Sequence, residues 1–284
     1  KRQLFGGSLR EVLRYGENPH QEASYLKSPD LERKAKYLVK ILHGALSYNN
    51  LADTTAAYKI LCELEDYNKS SCVIIKHGNP CGVAIDNKIL GAYKKSFETD
   101  PISAFGGIVA VNQKVDEKLA KRILSVFTEV IIAKSFSPEA FKMLSVKKNI
   151  KIVEIKSFDR TLLDTEEVRS VIGGYLVQVT SLSKLNQEEF KVVTKRRPSK
   201  KEFDNLVFLW RIVKHVKSNA IVVGKDLCIT GIGAGQTNRV GSVKLAIENS
   251  RRLEKNYTNN PSTRSTGMAA DAVFPCAAAL TMAA

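Results

Sequence analysis

Residues 53–82, DTTAAYKILCELEDYNKSSCVIIKHGNPCG, change hydrophobic period part-way along. Ala56, Ala57, Ile60, Leu61 and Leu64 recur at three- and four-residue steps, which puts one apolar stripe on a helix starting near Asp53, a possible cap. Cys72 to Lys76 then reads as a short buried strand. The same succession continues downstream. A helix through Ile89, Tyr93 and Phe97 is followed by the apolar stretch Ile108 to Val111. A helix through Leu119, Ile123, Leu124 and Phe127 precedes strand-like Val130 to Ala133. Phe141 and Leu144 mark another helix, Ile150 to Ile155 another strand, and Val171 to Val179 an apolar run interrupted by Gly173 and Gly174. Helices alternating with strands predict a layered α/β architecture.

The polar, basic stretch from Leu182 to Lys201 separates this region from a long helix carrying Phe203, Leu206, Val207, Trp210 and Val213, and predicts a domain boundary. Beyond it, Ala220–Val223 and Leu227–Ile232 read as a hairpin turning at Gly224 to Asp226. A glycine-rich turn leads into a helix from about Asn238 to Leu253, then a polar loop over residues 256–266. The Ala-rich stretch from Ala277 to Ala284 could begin a helix with no strand after it. The expected division is 1–190 and 191–284, with the second part incomplete at its end.

Composition narrows the classes. The chain has 284 residues, 44% hydrophobic and 26% charged, enough for a sizeable core and unlike disordered or disulfide-stapled chains. No apolar run approaches the roughly 18 residues that span a bilayer, and the charged N-terminus lacks a signal-peptide core, so a cytoplasmic protein is expected. Five cysteines without paired spacing are expected to be free. The formal charge of +15 favours anionic partners: nucleic acid, an acidic membrane or phosphorylated and carboxylated metabolites. Lys195, Arg196, Arg197, Lys200 and Lys201 form the longest basic cluster, expected to be a solvated loop face.

Three polar strings carry possible chemistry. Lys76 to Gly82 follows a strand, where open α/β sheets place ligands; an imidazole there can take a proton while an ammonium stabilises negative charge. A purely structural turn is equally compatible. A base-deaminase zinc site around His77 and Cys81 would need a Glu and a second Cys where Asn79 and Ala84 stand, so no metal is expected. Gly231, Gly233 and Gly235 precede a helix whose first turn carries Asn238 and Arg239, a possible anion site or an empty tight turn. Arg14 to Gln21 is a dense run of hydrogen-bonding side chains around Pro19.

Taken together with LSYNNLAD (46–53), DPISAFGGIVA (100–110), Val216 to Val222 and Gly231 to Ala246, these strings closely resemble the 5-aminoimidazole-4-carboxamide ribonucleotide (AICAR) transformylase family, in order from about Leu13 to Pro275. The resemblance implies duplicated cytidine-deaminase-like α/β lobes in three layers, without the deaminase zinc. It implies formyl transfer from 10-formyltetrahydrofolate, a co-substrate, to the 5-amino group of AICAR in purine (IMP) biosynthesis, by a homodimer with no specific nucleic-acid or membrane partner. Two anionic ligands would account for the positive charge. By the same resemblance His77 is the general base and Lys76 the oxyanion-stabilising ammonium. Arg14, Tyr15, Gly106, Glu129, Asn219 and Arg239 contact the nucleotide, with Arg14 and Arg239 on its phosphate, and Val240 and Val273 contact the folate. After Asp271 the pattern departs, with Cys276, Ala277 and Ala278 where the family carries an aromatic and a charged pair. A truncated second lobe is therefore expected, and the alternative reading is a catalytically impaired nucleotide-binding remnant without the folate site.

Overall fold

A computed structural model describes residues 8–27, 29–160, 162, 163, 166–180, 188, 190–257 and 267–271. In chain order, β1 (Ser8–Leu13) and β2 (Ala23–Lys27) pair with each other, and α1 (Pro29–Leu38) leads to β3 (Val39–His43). Next come α2 (Tyr48–Leu64), β4 (Ser70–Lys76), β5 (Asn79–Asp86), α3 (Ile89–Thr99), the short α4 (Pro101–Ala104) and β6 (Gly107–Val111). β7 (Lys114–Val115), α5 (Glu117–Leu124), β8 (Thr128–Ala133), β9 (Ser135–Phe136), α6 (Pro138–Ser145) and β10 (Lys151–Ile155) follow. The remainder is β11 (Glu166–Val171), β12 (Gly174–Val179), α7 (Lys200–Val213), β13 (Ile221–Lys225), β14 (Cys228–Gly233), α8 (Arg239–Tyr257) and β15 (Gly267–Ala270).

Nine strands form one mixed sheet in the order β15-β13-β14-β5-β4-β6-β8-β10-β3. Strands from both sides of residues 182–201 therefore enter the same sheet. Successive side chains of a strand face opposite ways, and β4 shows the result. Val73 and Ile75 belong to one continuous core with Ile60 and Leu61 of α2 and Phe208 and Ile212 of α7. Cys72 and Ile74 belong to the core of the other face, with Tyr93 of α3 and Leu119 and Ile123 of α5. Each fully buried Ile or Leu of this kind contributes about 1.5–3 kcal/mol.

One order of elements occurs twice: a serine-capped helix, a hairpin, a second helix and a strand. It runs α2, β4, β5, α3, β6 (with α4 inserted) and again α7, β13, β14, α8, β15. Ser47 caps α2 in a capping box with Asn50, and Ser199 caps α7 in a capping box with Glu202. The second helix of each set lies very close to its hairpin, and glycine is the reason. A Cβ on Gly82 would stand 1.8 Å from the Ser96 carbonyl oxygen, and one on Gly233 would stand 1.9 Å from that of Ser242. Both serine hydroxyls then donate across the gap, Ser96 to Cys72 O at 2.9 Å and Ser242 to Asn219 O at 2.8 Å.

Several expectations change. The cap of the first helix is Ser47, so Asp53 lies inside α2. The string from Lys76 does not end in a loop but continues as β5. The run Val171 to Val179 is the turn and second strand of a hairpin, β11–β12, with Ile172 fully exposed at its tip, because Gly173 supplies a positive φ of 75° for the turn. Phe127 lies past the end of α5. The helix expected to end near Leu253 runs on to Tyr257, so residues 256 and 257 of the expected loop at 256–266 belong to α8; the rest of that loop and the stretch Ala277–Ala284 lie outside the described residues.

Candidate active site

Lys76 pairs with Asn79 to close the β4–β5 hairpin, leaving His77 and Gly78 as a two-residue turn with φ of 52° and 73°. Positive φ at both positions is the type I′ pattern, which matches the twist of the flanking strands. Gly78 adopts it freely, whereas His77 needs support. Asp53 supplies it from the second turn of α2: its Oδ2 accepts the His77 N–H at 3.0 Å and its Oδ1 the Gly78 N–H at 2.7 Å. Burial raises the Asp53 pKa in spite of these two bonds.

The same end of α2 gathers the other residues of the first half. Asn50 Nδ2 donates to the Glu129 carboxylate at 2.9 Å, and Asn49 Nδ2 donates to Glu17 O at 3.2 Å, which draws in the turn holding Arg14 and Tyr15. Within that turn Gly16 N–H donates to Gln21 O at 2.7 Å, and the exposed Arg14 guanidinium lies 5.7 Å from the Tyr15 ring centre. Lys76 Nζ donates to Phe105 O at 2.6 Å, beside Gly106, whose φ is 74°.

Asn219 and Arg239 form a second group. Asn219 Nδ2 donates to Gln236 O at 2.9 Å. Arg239 is buried, donates to Ala220 O at 3.2 Å and is ion-paired with Asp271. Burial opposes ionisation of Asp271, but Ser218 and Arg239 together hold its carboxyl below its ordinary value. The guanidinium expected to face a phosphate is thus engaged by the protein, unlike that of Arg14. Asn79 joins the two groups, its Oδ1 accepting the Lys217 N–H at 2.9 Å.

Gly231 and Gly233 answer to packing, since a Cβ at either would collide with the α8 backbone at Ala246 or Ser242. Val240 packs with Ile221, Val223, Val243 and Ala246, and Val273 lies outside the described residues. The ladder between β5 and β14 has a single bridged pair, Ala84 with Cys228. Beyond it a cavity of about 240 Å³ opens between the two strands, lined among others by Lys76, His77, Asn79, Cys81, Asp100 and Asn249. A larger hollow of about 420 Å³ lies elsewhere, around Phe190, Phe203 and Trp210.

Cys81 donates to Ile74 O at 3.5 Å, and burial pushes its thiol up to about 12, which leaves it inert. Cys62, Cys72, Cys81 and Cys228 are free, and Cys276 lies outside the described residues. Among the described residues no group of three or more His, Cys, Asp or Glu is placed to hold a metal ion, and no helix is long and apolar enough to cross a membrane. In the basic cluster, Arg196 pairs with Glu202, Lys200 with Asp204 and Lys201 with Asp226.

Sequence reasoning missed Asn50 and the bridging role of Asp53. The available signal was polar residues Asn49, Asn50 and Asp53 near the start of the helix, at one-turn spacing.

The AICARFT/IMPCHase bienzyme family model matches residues 3–249. A bifunctional purine biosynthesis protein PurH from Caldicellulosiruptor saccharolyticus is 47% identical over 244 residues, 85% of this chain and 47% of the relative. Its namesake from Chelativorans sp. is 41% identical over 273 residues, covering 96% of this chain and 51% of that protein. The one from Roseobacter denitrificans is 40% identical over 285 residues, covering 100% and 54%. The chain spans about half the length of the curated relatives it matches. Because that one family's match takes in α2, the Lys76–His77 hairpin, Glu129 and Arg239 alike, the chain belongs to the AICARFT/IMPCHase bienzyme family.

Proposed function

We propose that this chain performs the formyl transfer of a bifunctional purine-synthesis enzyme, from 10-formyltetrahydrofolate to the 5-amino group of AICAR. The observation that carries the reading is the Lys76–His77 pair, set on a hairpin turn that α2 pins beside Glu129 and Gly106, at the mouth of the cavity between β5 and β14. The amine of AICAR is conjugated with its carboxamide and is a weak nucleophile, so its proton must leave as the tetrahedral carbon forms. His77 takes that proton, and the Lys76 ammonium, released from Phe105 O, meets the developing oxyanion; when the tetrahedral carbon collapses its bond to N10 of the folate breaks, and N10 takes the proton back from the His77 imidazolium and leaves as tetrahydrofolate.

In this reading Arg14, Tyr15, Gly106, Glu129, Asn219 and Arg239 hold the nucleotide, and Val240 and Val273 the folate. Arg14, being exposed, is the readier phosphate ligand; Arg239 would first have to give up Asp271. The doubled order of elements supports duplicated cytidine-deaminase-like lobes, 1–190 and 191–284. The exposed apolar β11–β12 hairpin fits a homodimer, and the chemistry fits the cytoplasm. Identity of 40–47% over about half the length of PurH proteins disfavours an impaired remnant.

The test is direct. Full-length protein incubated with AICAR and 10-formyltetrahydrofolate should yield the formylated nucleotide and tetrahydrofolate, and absence of product at saturating substrate would reject the reading.

A further inference from the structure

We infer that Asp53 is a positioning residue for the reaction: its carboxylate holds the His77–Gly78 turn, and through it the imidazole and the Lys76 ammonium, in working register. This rests on the functional reading above. Three observations carry it. Asp53 accepts the backbone N–H groups of both turn residues, one on each oxygen, at 3.0 and 2.7 Å. His77 is a non-glycine residue at φ 52°, a region that costs energy unless its surroundings enforce it. Nothing lies within 4 Å of where a Cβ on Gly78 would be, so the turn is open on that side.

The second hairpin supplies the internal control. Six residues after the cap Ser199, as Asp53 is six after Ser47, Asn205 reaches the β13–β14 turn. There an amide suffices: Asn205 Oδ1 accepts the Leu227 N–H at 3.1 Å and its Nδ2 donates to Gly224 O at 2.9 Å. At the first turn both partners are donors, so only a carboxylate satisfies both. Asparagine at 53 would set its NH2 against one of them.

The experiment uses full-length protein and the near-isosteric D53N, with N205A as control. D53N should lower kcat roughly ten- to hundredfold, the range for loss of a hydrogen bond to a charged group, and change the KM for AICAR by less than about threefold. Amide exchange at His77 and Gly78 should quicken about tenfold or more while Val73 and Val83 keep their protection. N205A should quicken exchange at Leu227 and leave kcat unchanged. Wild-type kcat in D53N overturns the proposal even if exchange changes, as does a kcat loss without faster exchange at the turn. A D53N protein that loses protection throughout β4 and β5 has a general folding defect and also overturns it. Should wild-type protein transfer no formyl group, the functional reading fails first, while the exchange measurement still decides whether Asp53 holds the turn.

Discussion

The two hairpins share a construction and differ in what they present. Both close on a lysine, Lys76 or Lys225, and both turn through two residues of positive φ: His77 and Gly78 in one, Asp226 and Leu227 in the other, at 53° and 56°. At the first turn an imidazole, followed by a bare glycine, borders a cavity. At the second, Asp226 is ion-paired with Lys201 at 2.7 Å and Leu227 packs into the core. A strained turn with a lysine beside it is therefore a scaffold property. A hollow lies beside each turn, about 240 Å³ at His77 and about 530 Å³ at Asp226 and Leu227, so the residues filling the turn decide whether chemistry follows.

The sharpest way to break this contrast is to strip each hairpin in turn. Lys76→Ala or His77→Ala should lower turnover about a hundredfold or more, the low end for losing an acid–base or oxyanion group, whereas Lys225→Ala should leave steady-state kinetics unchanged. Equal losses from both hairpins would mean that the lysines serve stability alone.

A second test asks whether the two sets stand or fall together. Glu63, at the end of α2, is paired with Arg160 at 3.1 Å and with Lys214, just past α7, at 2.8 Å. Burial pushes its carboxyl up, but His215 and Lys214 outweigh that and hold it at about 2, below the ordinary 4.5. A depressed pKa in the folded protein gives stability that is complete above about pH 4.5 and is lost as pH falls toward 2. The contribution is on the order of 3 kcal/mol. Urea unfolding at a series of pH values should show this acid limb, and Glu63→Gln should flatten it. An unchanged slope in the variant would separate Glu63 from the join.

The glycines offer a milder comparison. Gly82→Ala and Gly233→Ala each force a helix off its hairpin and should each cost about 1–3 kcal/mol, read as similar falls in Tm. A large cost at one and none at the other would show that the two helix seats differ. Smallest is the expected effect on nucleotide binding: by titration calorimetry Arg14→Ala should weaken AICAR about tenfold. Arg239→Ala should weaken it less and instead lower Tm, because Asp271 is left without its cation. The reverse order would place the phosphate at Arg239.

Much of the fold is legible because its signals are local. The stripe from Ala56 to Leu64 and the run from Cys72 to Lys76 lie in α2 and β4, and Ala220 to Ile232 reads as the hairpin it is. β5 escaped notice because Pro80 and Gly82, strong turn signals, sit inside it at a bulged register and a close helix contact. β3, carrying Lys40 and His43, and β15, a Gly-Met-Ala-Ala segment, are edge strands with little apolar pattern. In the candidate site the residue types at the turn were readable, but the bonds that fix them were not. Asp53 reaches His77 across 24 residues and Asn50 reaches Glu129 across 79, distances at which local pattern carries no information.

The join between β5 and β14 also sets a timetable. Thr99, at the end of α3, donates to Ile229 O, 130 residues later in the chain. At roughly 5–20 residues per second of synthesis, the first set of elements waits on the order of ten seconds for its neighbour. Meanwhile β5, with Val83, Ala84 and Ile85 all buried in the finished protein, stands as an open apolar edge, the kind of strand that recruits other chains. A ribosome-bound intermediate of this protein is for that interval a natural client for a chaperone, and the wall that completes the cavity beside His77 is made long after His77 itself.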